Sequence, residues 1–198
     1  MRFSLTGLAP ELERDVASAL VGAGHEPGAP AELAVVAVET AVGDDLIELG
    51  QEGWASAVAA TRSAFFAVQR AARAMVDGGL AGSIVVVVPA HALRTSRGCG
   101  LAAVAGSFLT TTAQVAALDL AASGIRVNVV VLGPLDGSAP ARVEAAVPLG
   151  RLARAADLAG ACLLLAAPGA AFVTGAVLAV DGGYHVTKAA GGSPFAGS

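Results

Sequence analysis

Gly124-Ile125-Arg126-Val127-Asn128, Leu132-Gly133-Pro134 and Phe172-Val173-Thr174-Gly175-Ala176-Val177-Leu178-Ala179-Val180-Asp181-Gly182-Gly183-Tyr184 follow one another in the last third of this 198-residue chain. Ser123-Gly124 stops a helix, and the valine-rich run Arg126 to Leu132 that follows has strand length. Ala176 to Val180 is a second such run, closed by the Gly182-Gly183 turn. Between them Asp157 to Ala167 reads as a helix. Working back toward the N-terminus, Leu101 to Ala122 is a helix, Ile84 to Val88 a β-branched strand, and Gln51 to Val76 a long helix ended by Gly78-Gly79. Leu33 to Val38 is a strand, Glu11 to Ala23 a helix closed by Gly24, and Arg2 to Leu5 a short first strand. His25 to Glu32, holding Gly28 and Pro30, reads as a loop. Strands that are apolar throughout, alternating with helices, predict an α/β fold whose parallel sheet is covered on both faces. One domain is expected over 1–188, with a Gly-, Ser- and Ala-rich tail at 189–198 that is mobile or ordered only against a partner.

Composition narrows the functional classes. Hydrophobic residues make up 55% of the chain and charged residues 14%, which excludes a disordered segment and suits a compact domain. No uncharged apolar run is expected to reach the roughly 18 to 20 residues of a spanning helix. The net charge is −4 and the only lysine is Lys188. Nucleic-acid binding calls for a clustered basic face, whereas the arginines here are scattered beside Asp and Glu. Cys99 and Cys162 are too few and too far apart for a metal site, and no secretory segment follows Met1, so a cytoplasmic chain with free thiols is expected. Cys162 reads as a buried thiol and Cys99 as a residue of a glycine-flanked loop, with no His implied near either. A domain this apolar with 4% aromatics is expected to hide surface in an oligomer.

The three quoted segments, in this order, resemble the short-chain dehydrogenase/reductase family, and in pattern its 3-oxoacyl-carrier-protein reductase-like members. The resemblance covers nearly the whole chain. It implies a Rossmann-like doubly wound parallel sheet, here truncated, because His25 to Glu32 replaces a βαβ passage of about 30 residues that holds the adenosine half of the cofactor in that family. It also implies where the family's chemistry would sit. After Thr6-Gly7 the family has a glycine-rich turn around the cofactor pyrophosphate. Glu11 and Glu13 stand at the second and third glycine positions, where a side chain blocks close approach and a carboxylate repels the anion. As residues of a helix N-terminus they are also simply favoured by its dipole. Val35 to Glu39 stands where the family has Asn-Asn-Ala-Gly. No dinucleotide cofactor is therefore expected.

The family's proton transfer uses a Ser, a Tyr, a Lys four residues after the Tyr, and a helical Asn. Laying Gly98 to Phe108 on that motif puts Val104 at the Tyr position and Phe108 at the Lys position. The Ser position falls within Pro89 to His91, and the Asn position is Thr61. No catalytic set is expected from these residues. Residual chemistry would have to use His91, Ser107 or Asp136, although His91 reads more simply as a polar residue at a strand end. Tyr184 and Lys188 have the Tyr-Lys spacing but follow the last strand, where Tyr184 matches the family's aromatic after Asp-Gly-Gly. The substrate lid is reduced to Leu135 to Val147.

The helices from Gln51 and Leu101 correspond to the pair that forms a four-helix dimer interface in the family. They are apolar on more than one face, which suits either ordinary core helices or an interface. Trp54, Phe65, Phe66, Phe108, Leu109, Val115, Phe172 and Tyr184 are the interface candidates. The favoured expectation is a non-catalytic subunit that forms a homo- or hetero-oligomer, preferably with a catalytically intact relative. The alternatives are a repurposed nicotinamide-independent cyclase, isomerase or dehydratase, and a module that binds a small apolar ligand.

Overall fold

A computed structural model describes residues 1–38, 45, 47–137, 139 and 141–187. Lys188, the tail at 189–198 and Glu39 lie outside the described residues, and with them the Tyr184/Lys188 pair as a unit.

Six parallel strands form one sheet in the order β2-β1-β3-β4-β5-β6. They are β1 (Arg2–Thr6), β2 (Glu26–Pro27), β3 (Leu33–Ala37), β4 (Ser83–Pro89), β5 (Arg126–Leu132) and β6 (Val177–Val180). The helices are α1 (Pro10–Gly22), α2 (Gln51–Asp77), α3 (Gly100–Leu120), the one-turn α4 (Ala141–Glu144) and α5 (Ala155–Ala166). Successive strand residues point to opposite faces, so each valine run divides between two cores. Val36, Val86, Val88 and Val129 meet α2 and α3 through Val68, Met75, Leu109 and Ala113. Val35, Val85, Val87 and Val130 meet α1 and α5 through Val16, Leu20, Leu158 and Cys162. The doubly wound architecture follows from strands buried on both sides.

Three features depart from the sequence reading. His25 to Glu32 is not all loop, because β2 pairs with β1 through Arg2 with Glu26 and Phe3 with Pro27. Pro27 cannot donate to a ladder, so it fits only at the sheet edge, where β2 lies. Among the described residues no strand lies beyond β2, and the chain returns to β3 within a few residues. The helix expected from Asp157 begins at Ala155, because Asp157 caps it by accepting the Arg154 N–H at 2.8 Å. Finally, Gly100–Ser123 is long and apolar enough, by length and composition, to cross a membrane. Its core-facing side, with Leu109, Ala113 and Ala117, packs on the sheet instead.

Candidate functional site

From β1 the chain crosses to β2 on one side of the sheet, and from β3 onward it steps to the other side through β4, β5 and β6. This reversal opens a crevice at the carboxyl ends of β1 and β3, where open α/β sheets bind ligands. A cleft of about 370 Å³ lies there, reached by Gly7 after β1, Ala37 and Val38 at the end of β3, Pro89 to His91 after β4, and Gly133 to Leu135 after β5.

The described residues around the cleft fit a dinucleotide poorly. Gly7 has φ +80°, and a Cβ there would lie 2.3 Å from the Ala37 carbonyl oxygen, so this glycine serves the close approach of β1 and β3. α1 begins with Pro10, which removes one of the N–H groups that would face a phosphate. Leu8, Ala9 and Leu12 line the cleft beside it. Glu11 is exposed and Glu13 half-buried, and Glu13 faces a separate hollow with Arg14. Among the described residues that line the cleft, no side chain carries a positive charge that would neutralise a pyrophosphate.

The register of α3 corrects one sequence expectation. Val104 and Phe108 are 53% and 48% exposed and lie off the cleft. The residue that α3 presents to the cleft is Ala102. Four residues on, Gly106 packs so tightly that a Cβ would meet the Ala92 Cβ at 2.7 Å. The pair at Tyr-Lys spacing that faces inward is thus Ala102 and Gly106, two residues earlier than the motif alignment put it, and neither carries a titratable group. Thr61 sits on α2 with its hydroxyl donating to the Ala57 carbonyl at 2.7 Å.

His91, Ser107 and Asp136 do not converge. His91 lines the cleft from the 3₁₀ turn Ala90–Ala92. Ser107 is exposed beside the groove between α2 and α3. Asp136 is exposed, with its N–H donating to the Ala153 carbonyl at 2.9 Å. Burial lowers the His91 pKa, opposed by a hydrogen bond to the Arg94 backbone, which favours a neutral imidazole.

Sequence reasoning missed the neighbours of this histidine. The Ser96 hydroxyl donates to Cys99 Sγ at 3.2 Å and lies 3.5 Å from His91 Nδ1. Cys99 is therefore buried directly before α3 with an imidazole nearby, contrary to the expectation of none. The polar run Arg94-Thr95-Ser96-Arg97 after an all-apolar strand was the available signal. Cys162 is a core thiol, and burial pushes it up to about 12. Among the described residues no cluster of three metal-ligating side chains occurs.

The interface candidates also separate. Trp54, Phe66 and Phe172 are exposed, and Phe65, Phe108 and Val115 are exposed along a groove of about 750 Å³ between α2 and α3. Leu109 is 0% and Tyr184 2% exposed, so both are core residues and neither offers a surface. Leu109 lies under α3 on the sheet, and Tyr184 closes the floor of the cleft.

Comparison with known proteins agrees with this fold. The family profile described as enoyl-(acyl carrier protein) reductase matches residues 31–185. L-rhamnose 1-dehydrogenase (NAD(P)(+)) of Sphingomonas sp. (strain SKA58) is 38% identical over 143 residues, covering 62% of this chain and 52% of that protein. Cis-4-hydroxycyclohexanecarboxylate dehydrogenase of Sinomonas cyclohexanicum is 52% identical over 77 residues, 35% of this chain and 31% of that enzyme. The chain thus spans about a third to a half of these relatives. A short-chain type dehydrogenase/reductase from Mycobacterium ulcerans superimposes with a TM-score of 0.82 at 23% identity, covering 94% of this chain and 90% of that one. With its switch-point cleft, its Asp181-Gly182-Gly183 turn and a profile match across most of its length, this chain belongs to the short-chain dehydrogenase/reductase family.

Proposed function

We propose that this chain is a non-catalytic member of its family that assembles with a catalytically complete relative and supports it. The observation that carries the reading is α3 itself: it turns Ala102 to the cleft and packs Gly106 against Ala92, where proton transfer would need a titratable pair, and turns Phe108 and Val115 outward. The relatives named above are dehydrogenases. Among the described residues that line this chain's cleft, the titratable side chains are those of His91 and Tyr184, from the loop after β4 and the turn after β6.

The exposed apolar row on α2 and α3 supports assembly. Phe65, Phe108 and Val115 line one groove, and Phe66 packs edge to face on Phe65 at 5.4 Å, apolar surface that gains from leaving water. Stable pairs usually bury more than about 1,000 Å² in total. Two free thiols suit a reducing compartment such as the cytoplasm. A repurposed enzyme built on His91, Ser107 and Asp136 finds no support, since the three lie apart.

The test is co-expression with intact family members from the same host, followed by size-exclusion chromatography with light scattering. A mixed complex that dissociates on Phe65→Glu with Val115→Glu supports the proposal. A monomer at tens of micromolar that ignores every intact relative overturns it, as does carbonyl reduction by the purified chain alone.

A further inference from the structure

We propose that the cleft at the carboxyl ends of β1, β3 and β4 binds a small neutral apolar molecule in place of a dinucleotide. This is independent of the pairing proposed above, since the cleft and the α2–α3 groove involve different residues.

Size, chemistry and pre-organisation all point to this occupant. At about 370 Å³ the cleft falls at the lower end of the range of small-molecule sites, enough for a ring system or a medium-length chain. Leu8, Leu12, Val38, Val88, Ala102 and Leu135 supply apolar walls. The described lining residues offer no guanidinium or ammonium to an anion and no carboxylate to a cation, so among them burying either charge costs far more than burying an apolar surface gains. His91, with its ionisation opposed by burial, adds a neutral imidazole to the otherwise apolar wall.

The wall is held in shape without a ligand. Arg94 donates to the Tyr184 carbonyl oxygen and to Thr187 Oγ1, each at 2.6 Å, and so fixes Tyr184 at the cleft floor. A preformed apolar hollow of this kind costs little ordering on binding. After Pro134, Ala139 lines the cleft and Val143 packs into the core.

The experiment is a fluorescence titration of the full chain with the neutral probe N-phenyl-1-naphthylamine at pH 8. The expected result is saturable one-to-one binding, weakened at least tenfold by Ala102→Phe and unchanged by Phe65→Glu with Val115→Glu on the helix groove. Ala139→Trp at the half-exposed rim repeats the test should Ala102→Phe fail to fold, and must weaken binding likewise. 1-Decanol should displace the probe, whereas decanoate, decylamine and NAD should not at equal concentration. Non-saturable binding, binding lost only with the groove variant, or displacement by the charged analogues as effective as by the alcohol would each overturn the proposal.

Discussion

The Arg94 guanidinium donates a 2.6 Å hydrogen bond to the Tyr184 carbonyl oxygen and lies 4.9 Å over the ring of the same residue. This joins the loop after β4 to the turn after β6, two segments ninety residues apart in sequence. The turn is organised from its other side by Asp181, whose carboxylate accepts the N–H groups of Gly183 at 2.9 Å and His185 at 2.7 Å. Charge-assisted hydrogen bonds of this type are each worth about 1.5 to 3 kcal/mol. Arg94→Met is therefore expected to lower unfolding free energy by about 2 kcal/mol in urea titrations. Arg94→Lys should recover less than half of this, since an ammonium gives up the planar stacking of the guanidinium over the Tyr184 ring. An unchanged midpoint for Arg94→Met would show that the staple is ornamental.

Ala102 and Gly106 define the second prediction. Installing Ala102→Tyr with Gly106→Lys restores the family's Tyr-Lys spacing on the face that reaches the cleft, yet no NAD- or NADPH-dependent reduction is expected, because Leu8, Leu12 and Pro10 still occupy the phosphate region. Gly106→Ala alone should already destabilise. Relief of glycine's helix penalty contributes about 1 kcal/mol. Forcing a Cβ to within 2.7 Å of the Ala92 Cβ costs about 1 to 3 kcal/mol, so the net effect is a loss on the order of 1 kcal/mol. Turnover by the double variant, followed at the absorbance of reduced nicotinamide, would contradict the reading of the cleft.

The sheet was legible because its signals are local and redundant. Valine runs such as Ile84 to Val88 have strand length and are bounded by glycine or proline, and Gly7, Gly124 and Gly182 mark turns that require positive φ. The register of α3 was not legible for a physical reason. From Leu101 to Leu109 nearly every residue is apolar or small, so no polar face tells which side lies on the sheet, and Ala102 and Val104 look alike until packing separates them. The same ambiguity placed Leu109 beside Phe108 as a surface residue. β2 escaped because two residues at a sheet edge leave no period to read. The Ser96 link between His91 and Cys99 depends on how a loop folds back, which spacing alone does not encode.

Asp157 gives a prediction in pH. Its paired hydrogen bonds with Arg151, at 2.7 and 2.8 Å, and the Arg154 N–H it accepts hold the carboxyl down to about 2 from 3.8. A depressed folded-state pKa means that the carboxylate stabilises fully above about pH 4 and that this contribution is lost as pH falls toward 2. Solvent screens the pair with Arg151, so the loss of charge in Asp157→Asn costs about 1 kcal/mol at pH 7, mainly by weakening the charge-assisted bond from the Arg154 N–H. Denaturation curves for wild type and variant are expected to converge as pH drops through that window. A constant gap down to pH 2 would show that the charge of Asp157 contributes nothing.

Leu109 and Phe108 are consecutive residues with opposite expected consequences. Leu109 is fully buried between α3 and the sheet, so Leu109→Ala removes core packing and should cost about 2 to 5 kcal/mol whatever the oligomeric state. Phe108 is 48% exposed on the groove with α2, so Phe108→Glu should leave thermal stability of the isolated chain within about 0.5 kcal/mol while weakening assembly. The two effects are separable by measuring urea midpoints at low concentration and molar mass at high concentration. If Phe108→Glu unfolds the chain, or Leu109→Ala dissociates a complex without changing its stability, then α3 packs in the register first expected from the sequence and Ala102 is not its cleft residue.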